Sequence, residues 1–261
     1  MGIRAALRAK LVNAVDEVVA RHRAEQAAEL RAELDGWLRG AADRVIAEVR
    51  GVEIRDRRDV FAAAEREAVL STSRFVQREM RGARHFGHPH ATLEHALTLA
   101  PSGGMALEFG VFTGTTLKII AARRDGAVYG FDSFDGLPEN WRTGFDTGAF
   151  GVDGPPDVPG AELVVGLFDD TLPGFLAAHP GPVDLLHVDA DLYSSAVTVL
   201  EHVGPRLRPG SIVLFDEFFN YPGWEQHEAR AWQEYVAAHG VAFSYEAYTF
   251  DHEQVVVRIT G

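Results

Sequence analysis

The chain has 261 residues, enough for one substantial domain with a helical extension, and it contains no apolar run of the roughly 20 residues that a membrane-spanning helix needs. Its 38 acidic and 25 basic residues give a formal net charge of -13, which disfavours nonspecific binding to nucleic acid or to an anionic membrane. The absence of cysteine excludes disulfides, thiolate metal sites and cysteine nucleophiles, and we expect a cytoplasmic protein.

The first hundred residues predict helices with almost no strand signal. Apolar residues recur at spacings of three and four on one helical face, namely Leu30, Leu34, Trp37, Ala41 and Val45. Gly36 and Gly40 weaken this helix, and we expect them to bend or interrupt it. Further helices are predicted over residues 61–80 and 91–99. Residues 1–100 are therefore interpreted as a helical N-terminal region that serves as a lid or in oligomerisation.

From residue 105 onward, short apolar runs alternate with helical stretches. The predicted strands cover residues 105–109, 127–131, 162–167, 183–188 and 211–215. The predicted helices cover residues 115–124, 172–179, 193–203 and 225–239. This alternation predicts parallel strands joined by right-handed crossovers, and hence an α/β domain of Rossmann-like architecture over residues 101–261. The last two apolar runs, 242–250 and 253–259, are too close for a crossover and predict an antiparallel hairpin.

A glycine-containing segment follows the first of these strands. Glu108–Thr116 has the pattern E-x-G-x-x-x-G-x-T and leads into a predicted helix. Its glycines permit a tight turn and a close approach of the backbone to a ligand. The spacing is not the G-x-G-x-x-G of dinucleotide-binding loops, so a nucleoside-type cofactor is favoured. An ordinary turn from strand to helix would have the same glycines.

Acidic residues follow three other predicted strands. Asp132 lies about 20 residues beyond the glycine loop, where Rossmann-like domains place an acid that accepts from ribose hydroxyls, although a turn residue would also fit. Asp189 and Asp191 follow the fourth strand, and Asp216 and Glu217 follow the fifth. Because ligands bind at the carboxyl ends of parallel strands, we expect these acids to converge around a divalent cation that offsets their repulsion. Solvated surface acids are the alternative.

Four further motifs accompany the glycine loop: F-D-S-F-D-G-L-P at 131–138, D-T-L-P at 170–173, H-V-D-A-D-L-Y-S-S at 187–195 and F-D-E at 215–217. Together they resemble the macrocin O-methyltransferase family, from residue 105 to the C-terminus. The resemblance implies a class I methyltransferase sheet that uses S-adenosylmethionine and Mg²⁺. It also implies methylation of a sugar hydroxyl in natural-product and antibiotic biosynthesis, with a small sugar-containing substrate and a homo-oligomeric enzyme.

The resemblance also implies roles for individual residues. Asp189, Asp216 and Glu217 would hold the metal, and Asp189 and Asp191 are the candidate proton acceptors. Leu192 stands where a catechol-type enzyme would place a lysine. The residues implied in cofactor binding are Glu108, Gly110, Val111, Phe112, Thr113, Gly114, Thr115, Thr116, Asp132, Ser133, Gly166, Phe168 and Asp189. Among these, the loop from Glu108 would bind the methionine end, Asp132 and Ser133 the ribose, and Gly166 and Phe168 the adenine. His187 is expected to be a packed core residue rather than a ligand.

Aromatic residues in irregular segments are candidates for substrate contacts. Trp141, Tyr221 and Trp224 would either pack on a sugar or aglycone or anchor their own loops to the core. The long stretch 139–159 is rich in glycine and proline and is interpreted as a lid. The sequence thus favours a sugar O-methyltransferase. A catechol or small-phenol O-methyltransferase and a non-catalytic methyltransferase-like binding module are the alternatives.

Overall fold

The computed structural model describes residues 2–261, apart from the side chains of residues 3–6. The chain divides into two compact units after Ala63. This division lies earlier than the domain boundary at residue 100 drawn from the sequence. The difference arises because the segment after Ala63 contains a strand and a helix that pack with the sheet of the second unit.

The first unit consists mainly of α1, Ile3–Arg58. This helix is continuous through Gly36 and Gly40, so the expected interruption does not occur. A glycine costs only about 1 kcal/mol in a helix, and the surrounding alanine, leucine, arginine and glutamate residues favour the helical state. The apolar series found in the sequence lies on this helix, and its large members Leu30, Leu34 and Trp37 are exposed.

The remaining elements follow the predicted alternation closely. They are α2 (Val60–Glu79), β1 (Arg84–Phe86), α3 (Pro89–Leu99), β2 (Met105–Phe109), α4 (Thr115–Arg123), β3 (Val128–Asp132), β4 (Glu162–Val165), α5 (Phe168–Ala178), β5 (Val183–Val188), α6 (Tyr193–Val203), β6 (Ile212–Phe215), α7 (Glu228–His239), β7 (Phe243–Thr249) and β8 (Val255–Ile259). Short 3₁₀ turns lie at Gly204–Arg206 and Trp224–Gln226. The second of these turns is the reason that α7 begins three residues later than predicted.

The strands form one eight-stranded sheet in the order β1-β7-β8-β6-β5-β2-β3-β4. Strands β2 to β6 are parallel, whereas β8 is antiparallel to both β6 and β7. The predicted α/β sheet with a terminal antiparallel hairpin is therefore confirmed. The sequence does not predict strand β1, because Arg84 and His85 make this segment polar. It becomes a strand by backbone pairing with β7, which is distant in the sequence.

The sheet topology places a crevice beside β2. From β2 the chain moves outward through β3 and β4, and it then returns to add β5 on the opposite side of β2. The strand order therefore reverses between β2 and β5, and open α/β sheets bind their ligands at such a switch point. Both strands are fully buried, as expected for central parallel strands with helices on both faces. No described helix combines the length and apolar character that crossing a membrane requires.

Candidate active site

The loops after β2 and β5 are in direct backbone contact at the switch point. Gly110 has a φ of 94°, and a Cβ atom added there would lie 1.8 Å from the carbonyl oxygen of Asp189. The Asp189 amide donates to the carbonyl of Phe109 at 2.9 Å. Position 110 requires a left-handed backbone and leaves no room for a Cβ atom, and only glycine satisfies both conditions. The glycine loop and the acidic loop are thus held together.

Asp132, at the end of β3, stabilises the glycine loop through hydrogen bonds. Its Oδ2 accepts hydrogen bonds from the amides of Val111 and Phe112, each at 2.8 Å, and its Oδ1 accepts from the Phe134 amide at 2.7 Å. A carboxylate has about four acceptor positions, so one on Oδ1 is left for another donor. The structure therefore gives Asp132 a role in fixing two turns. Its contact with a ribose hydroxyl remains a prediction.

The acids predicted to converge do lie close together. Potential ligand atoms of His187, Asp189 and Asp216 lie within 4.8 Å of one another, and the same is true of Asp189, Asp191 and Glu217. Asp189 belongs to both groups and connects them. Asp216 and Glu217, expected to bind one metal together with Asp189, fall in different groups, although their side chains are hydrogen-bonded to each other. The binding of a metal by Asp189, Asp216 and Glu217 remains a prediction.

His187 is fully buried between two acids. Its Nδ1 lies 2.8 Å from Glu108 Oε1, and its Nε2 lies 3.4 Å from Asp216 Oδ1. Burial lowers the pKa of His187, but the hydrogen bonds to Asp216 and Glu108 outweigh it, and the pKa ends well above the usual value. An imidazolium donates to both carboxylates and carries the wrong charge for a metal ligand. His187 therefore serves as a buried counter-charge.

Asp216 is oriented from both sides. His187 contacts its Oδ1, and the Gln254 side-chain amide donates to its Oδ2 at 3.0 Å. Burial raises the pKa of Asp216, but the hydrogen bond from His187 overrides this effect, and the pKa ends below its usual value. Asp216 is thus held ionised at the end of β6. Gln254 was not recognised from the sequence, because its partner is 38 residues away.

Most of the other acids in the cluster have raised pKa values. Burial is the main cause for Asp189 and Glu217, and repulsion by neighbouring carboxylates adds to it. Burial also raises the pKa of Asp191 to about 7, although Arg142 opposes the shift. Burial also raises the pKa of Glu108 above its usual value. Crowded, desolvated carboxylates either take up protons or require a cation.

Glu228, at the start of α7, is a buried acid that no motif in the sequence marks. Its Oε1 accepts from the Ala190 amide at 3.4 Å, and its Oε2 accepts from the Glu217 amide at 3.1 Å. Its carboxylate therefore connects the loops that carry Asp189 and Asp216. Burial raises the pKa of Glu228 above its usual value. In the sequence, Glu228 looks like an ordinary acid of a helical first turn, so no local pattern would have identified it.

A cleft of about 360 Å³ opens at this edge of the sheet. The predicted site residues that line it are Gly110, Phe112, Asp132, Ser133, Gly166, Phe168, Asp189, Asp191 and Glu217. The predicted site residues outside its lining are Glu108, Val111, Thr113, Gly114, Thr115, Thr116 and Asp216. Val111 is buried in the core, and Glu108 is buried beside His187. Gly114 caps α4, and the side chain of Thr116 in its first turn is hydrogen-bonded to Glu108.

Two of the three aromatic candidates for substrate contact anchor their own loops. Tyr221 and Trp224 are buried in the main core, and the Trp224 Nε1 donates to Ser71 Oγ at 2.8 Å. The substrate role is wrong for both residues. Trp141 is half-buried and packs against the Arg142 guanidinium, 4.0 Å from its ring centre.

The stretch 139–159 contains no helix or strand, but it is well connected. The Trp141 amide donates to the Phe145 carbonyl at 3.0 Å, and Arg142 forms an ion pair with Glu253 at 3.0 Å. Ser194 on α6 donates to Glu139 at 2.6 Å. These contacts attach the stretch to α6 and to the turn between β7 and β8. Its function as a lid remains a prediction.

Comparison with known proteins finds similarity to methyltransferases. Residues 107–218 match the family model described as a methyltransferase domain. A segment of 53 residues is 43% identical to the 8-demethyl-8-(2,3-dimethoxy-alpha-L-rhamnosyl)-tetracenomycin-C 4'-O-methyltransferase of Streptomyces olivaceus. This segment is 20% of the present chain and 19% of the relative.

Solved methyltransferase structures share the fold. The calicheamicin methyltransferase CalS11 superposes with a TM-score of 0.52 at 26% identity, over 64% of this chain and 76% of that chain. The O-methyltransferase NovP has a TM-score of 0.51 at 23% identity, over 65% of this chain and 80% of that chain. These matches confirm the class I methyltransferase fold and the resemblance that the motifs indicated.

Replacing Gly110 with alanine tests the contact between the two loops. We expect Gly110→Ala to lower the free energy of unfolding by more than the roughly 1–3 kcal/mol of left-handed strain, because the new methyl group also collides with the Asp189 carbonyl. Chemical denaturation measures the change. Gly126→Ala is the matched control, since Gly126 also has a positive φ but nothing lies within 4 Å of an added Cβ. Equal losses in the two variants would contradict this interpretation.

Proposed function

We propose that this chain is an S-adenosylmethionine-dependent O-methyltransferase that methylates a sugar hydroxyl with the help of Mg²⁺. The acceptor would be a nucleotide sugar or a glycosylated natural product in a secondary-metabolite pathway. The observation that carries the proposal is the contact of the glycine loop with the acidic loop at the switch point, in a domain that matches methyltransferases. The rhamnosyl group in the name of the curated relative supports a sugar as the acceptor.

The donor atoms of the acidic cluster suit a hard divalent cation. Carboxylate oxygens are the ligands that Mg²⁺, Ca²⁺ and Mn²⁺ prefer, and Glu217 Oε2 is a buried oxygen without a hydrogen-bond partner. In our proposal Asp189, Asp216 and Glu217 hold the metal. Bound Mg²⁺ supplies positive charge that lowers the cost of deprotonating a hydroxyl and orients vicinal hydroxyls.

The residues around the cleft would place the donor and exclude water. When bound, S-adenosylmethionine supplies the methyl group from its sulfonium centre. Gly110 and Phe112 line the cleft next to Asp189, and Gly166 and Phe168 line it after β4. We assign the first pair to the methionine end and the second pair to the adenine. Asp132 would accept from the ribose through the free position on Oδ1, and Ser133 beside it lines the same wall.

Two carboxylates are candidates for accepting the proton of the acceptor hydroxyl. Asp189 and Asp191 both line the cleft, and Asp191 has a left-handed backbone with a φ of 58°. A non-glycine residue in that conformation is strained, and such strain concentrates at functional sites. We propose that the carboxylate of Asp189 or of Asp191 accepts the proton that the acceptor hydroxyl loses.

A phenolic acceptor is the second candidate, because the exposed Phe150, which also lines the cleft, would accommodate an aromatic ring. Catechol methylation would use the same metal and the same donor. Leu192 is buried where a catechol-type enzyme would place a lysine, which favours the sugar. A binding module without catalysis would differ from both by the absence of turnover.

We propose that the N-terminal unit mediates self-association. Leu30, Leu34 and Trp37 expose large apolar surfaces along α1, which supports a homo-oligomer built through this helix. A role as a lid over the acceptor is the other assignment for this region.

Replacing Asp189 with asparagine tests the function. We expect Asp189→Asn to reduce methyl transfer from S-adenosylmethionine to a rhamnoside by about 10²–10³-fold, because the site loses a charge that faces the reacting hydroxyl. The affinity for S-adenosylhomocysteine, measured by calorimetry, should change far less. Asp169→Asn is the matched control, since Asp169 also lines the cleft but lies outside the acidic cluster. Normal turnover in Asp189→Asn, or in the wild type with a chelator, would contradict the metal-assisted mechanism.

Protons and Mg²⁺ compete for the acidic cluster, so the stabilisation of the fold by Mg²⁺ should depend on pH. The pKa of Asp191 rises from 3.8 to about 7 on folding, so its contribution to stability is complete below 3.8 and is lost as the pH rises through 7. A cation replaces the protons once the acids ionise. We expect a fixed Mg²⁺ concentration, a hundred times the dissociation constant at pH 8, to raise the melting temperature by about 5–10 °C at pH 8 and by less at pH 6.

Thermal unfolding with and without Mg²⁺ at the two pH values measures this effect. In the Asp189→Asn variant, the melting temperature should lose most of its dependence on Mg²⁺ at both pH values. An effect of Mg²⁺ that is larger at pH 6 than at pH 8 would show that protons and the cation do not compete at this cluster.

A further inference from the structure

Glu228 occupies the first position of α7, but its carboxylate acts on other segments of the chain. Acids in the first turn of a helix usually interact with the free amide groups of that turn. The Glu228 side chain is instead fully buried, and its two oxygens accept from the amides of Ala190 and Glu217, which lie 38 and 11 residues away. The loops after β5 and β6 are therefore its partners.

The two amides that face Glu228 require a carboxylate at this position. Oε1 accepts from the Ala190 amide at 3.4 Å, and Oε2 accepts from the Glu217 amide at 3.1 Å. Both partners are donors, and a carboxylate offers an acceptor oxygen to each of them. A glutamine has one oxygen and turns an NH₂ donor toward the other amide, which leaves a buried donor unpaired. The site thus holds an acid here although Asp216 and Asp191 are close enough to repel it.

The amides held by this carboxylate belong to the loops that carry the acids assigned to the cation. Ala190 directly follows Asp189, and Glu217 is itself one of these acids. The same two loops are joined a second time, because the Asp216 amide donates to the Val188 carbonyl at 2.8 Å. Together the two connections fix the backbone from which the acids project. The spacing of the carboxylates depends on that backbone.

The loop after β5 is strained at the point where Glu228 holds it. Asp191 has a left-handed backbone with a φ of 58°, and such residues persist only where surrounding contacts fix them. The preceding residue is Ala190, which is buried and donates its amide to Glu228. This hydrogen bond therefore helps to hold the strained turn, in which Asp189 and Asp191 both line the cleft.

Glu228 belongs to a helix that is firmly packed in the core. Ala229, Ala231 and Trp232 on the same helix are buried, and the Trp232 ring packs against Phe215 with ring centres 5.5 Å apart. Phe215 is the last residue of β6, directly before the acids of the following loop. A side chain on a packed helix holds a functional group more precisely than one on a loop. Glu228 is thus suited to fixing the two loops.

We propose that Glu228 is a positioning residue that sets the spacing of the Asp189 and Glu217 carboxylates and thereby the affinity of the site for its divalent cation. This inference rests on the proposed function and adds a residue to its metal site. Residues that orient metal ligands without touching the ion change the metal affinity by about 10–100-fold when they are replaced. Glu228 acts through the two backbone amides, so its replacement affects cation binding more than donor binding.

Titration of the intact protein with Mn²⁺, followed by electron paramagnetic resonance, tests this inference. Calorimetry with S-adenosylhomocysteine is the second readout. We expect Glu228→Gln to raise the Mn²⁺ dissociation constant by about 10–100-fold and to change that of S-adenosylhomocysteine by about threefold at most. Glu228→Asp keeps two acceptor oxygens, so it should lose less Mn²⁺ affinity than Glu228→Gln. Circular dichroism verifies that each variant is folded.

Glu225→Gln is the matched control, because Glu225 is exposed in the 3₁₀ turn before α7 and its replacement removes the same charge. Unchanged Mn²⁺ binding in Glu228→Gln, an equal loss in Glu225→Gln, or a larger loss in Glu228→Asp would overturn the inference. Equal losses of Mn²⁺ and S-adenosylhomocysteine affinity, or an unfolded Glu228→Gln variant, would also overturn it, because the role of Glu228 would then be structural.

The wild-type protein distinguishes failure of this inference from failure of the proposed function. Wild type that binds both Mn²⁺ and S-adenosylhomocysteine leaves the proposed function standing, whatever the variants at Glu228 do. Wild type that binds S-adenosylhomocysteine but no Mn²⁺ would overturn the inference together with the metal assignment. Wild type that binds neither ligand would instead refute the proposed function.

Discussion

The site depends on the close packing of two backbone segments at the point where the strand order reverses. Gly110 brings the loop after β2 against the carbonyl of Asp189, the first residue after β5, with no room for a side chain. Asp132 fixes the first loop through two backbone amides, and Glu228 connects the second loop to the residue after Asp216. A donor site and an acidic cluster are thereby built as one rigid unit. The chemistry proposed here requires that proximity.

This proximity has an electrostatic cost, which the structure offsets only in part. Several carboxylates are buried within a few ångströms of one another, and His187 supplies one buried positive charge between Glu108 and Asp216. Asp216 is thereby kept ionised, whereas burial and repulsion raise the pKa values of Asp189 and Glu217. The remaining negative charge attracts a divalent cation.

The sequence predicts those features that local patterns determine. The central strands are apolar runs that only a buried parallel sheet explains, and the acids after them must meet at one edge of that sheet. Features that depend on long-range contacts are not predictable in this way. Glu228 resembles a surface acid until α7 is packed, and the ion pair of Arg142 with Glu253 joins residues 111 positions apart. Tyr221 and Trp224 lie among turn residues, but tertiary packing buries them in the core.

Anomalous scattering from Mn²⁺ tests the central claim most directly. Crystals grown with S-adenosylhomocysteine and Mn²⁺ should show an anomalous peak within about 2.5 Å of carboxylate oxygens of Asp189, with Asp216 and Glu217 completing the protein ligands. The same map should place the sulfur of the cofactor product beside the loop of Gly110. A peak at another site, or no peak at saturating Mn²⁺ with the product bound, would contradict the account.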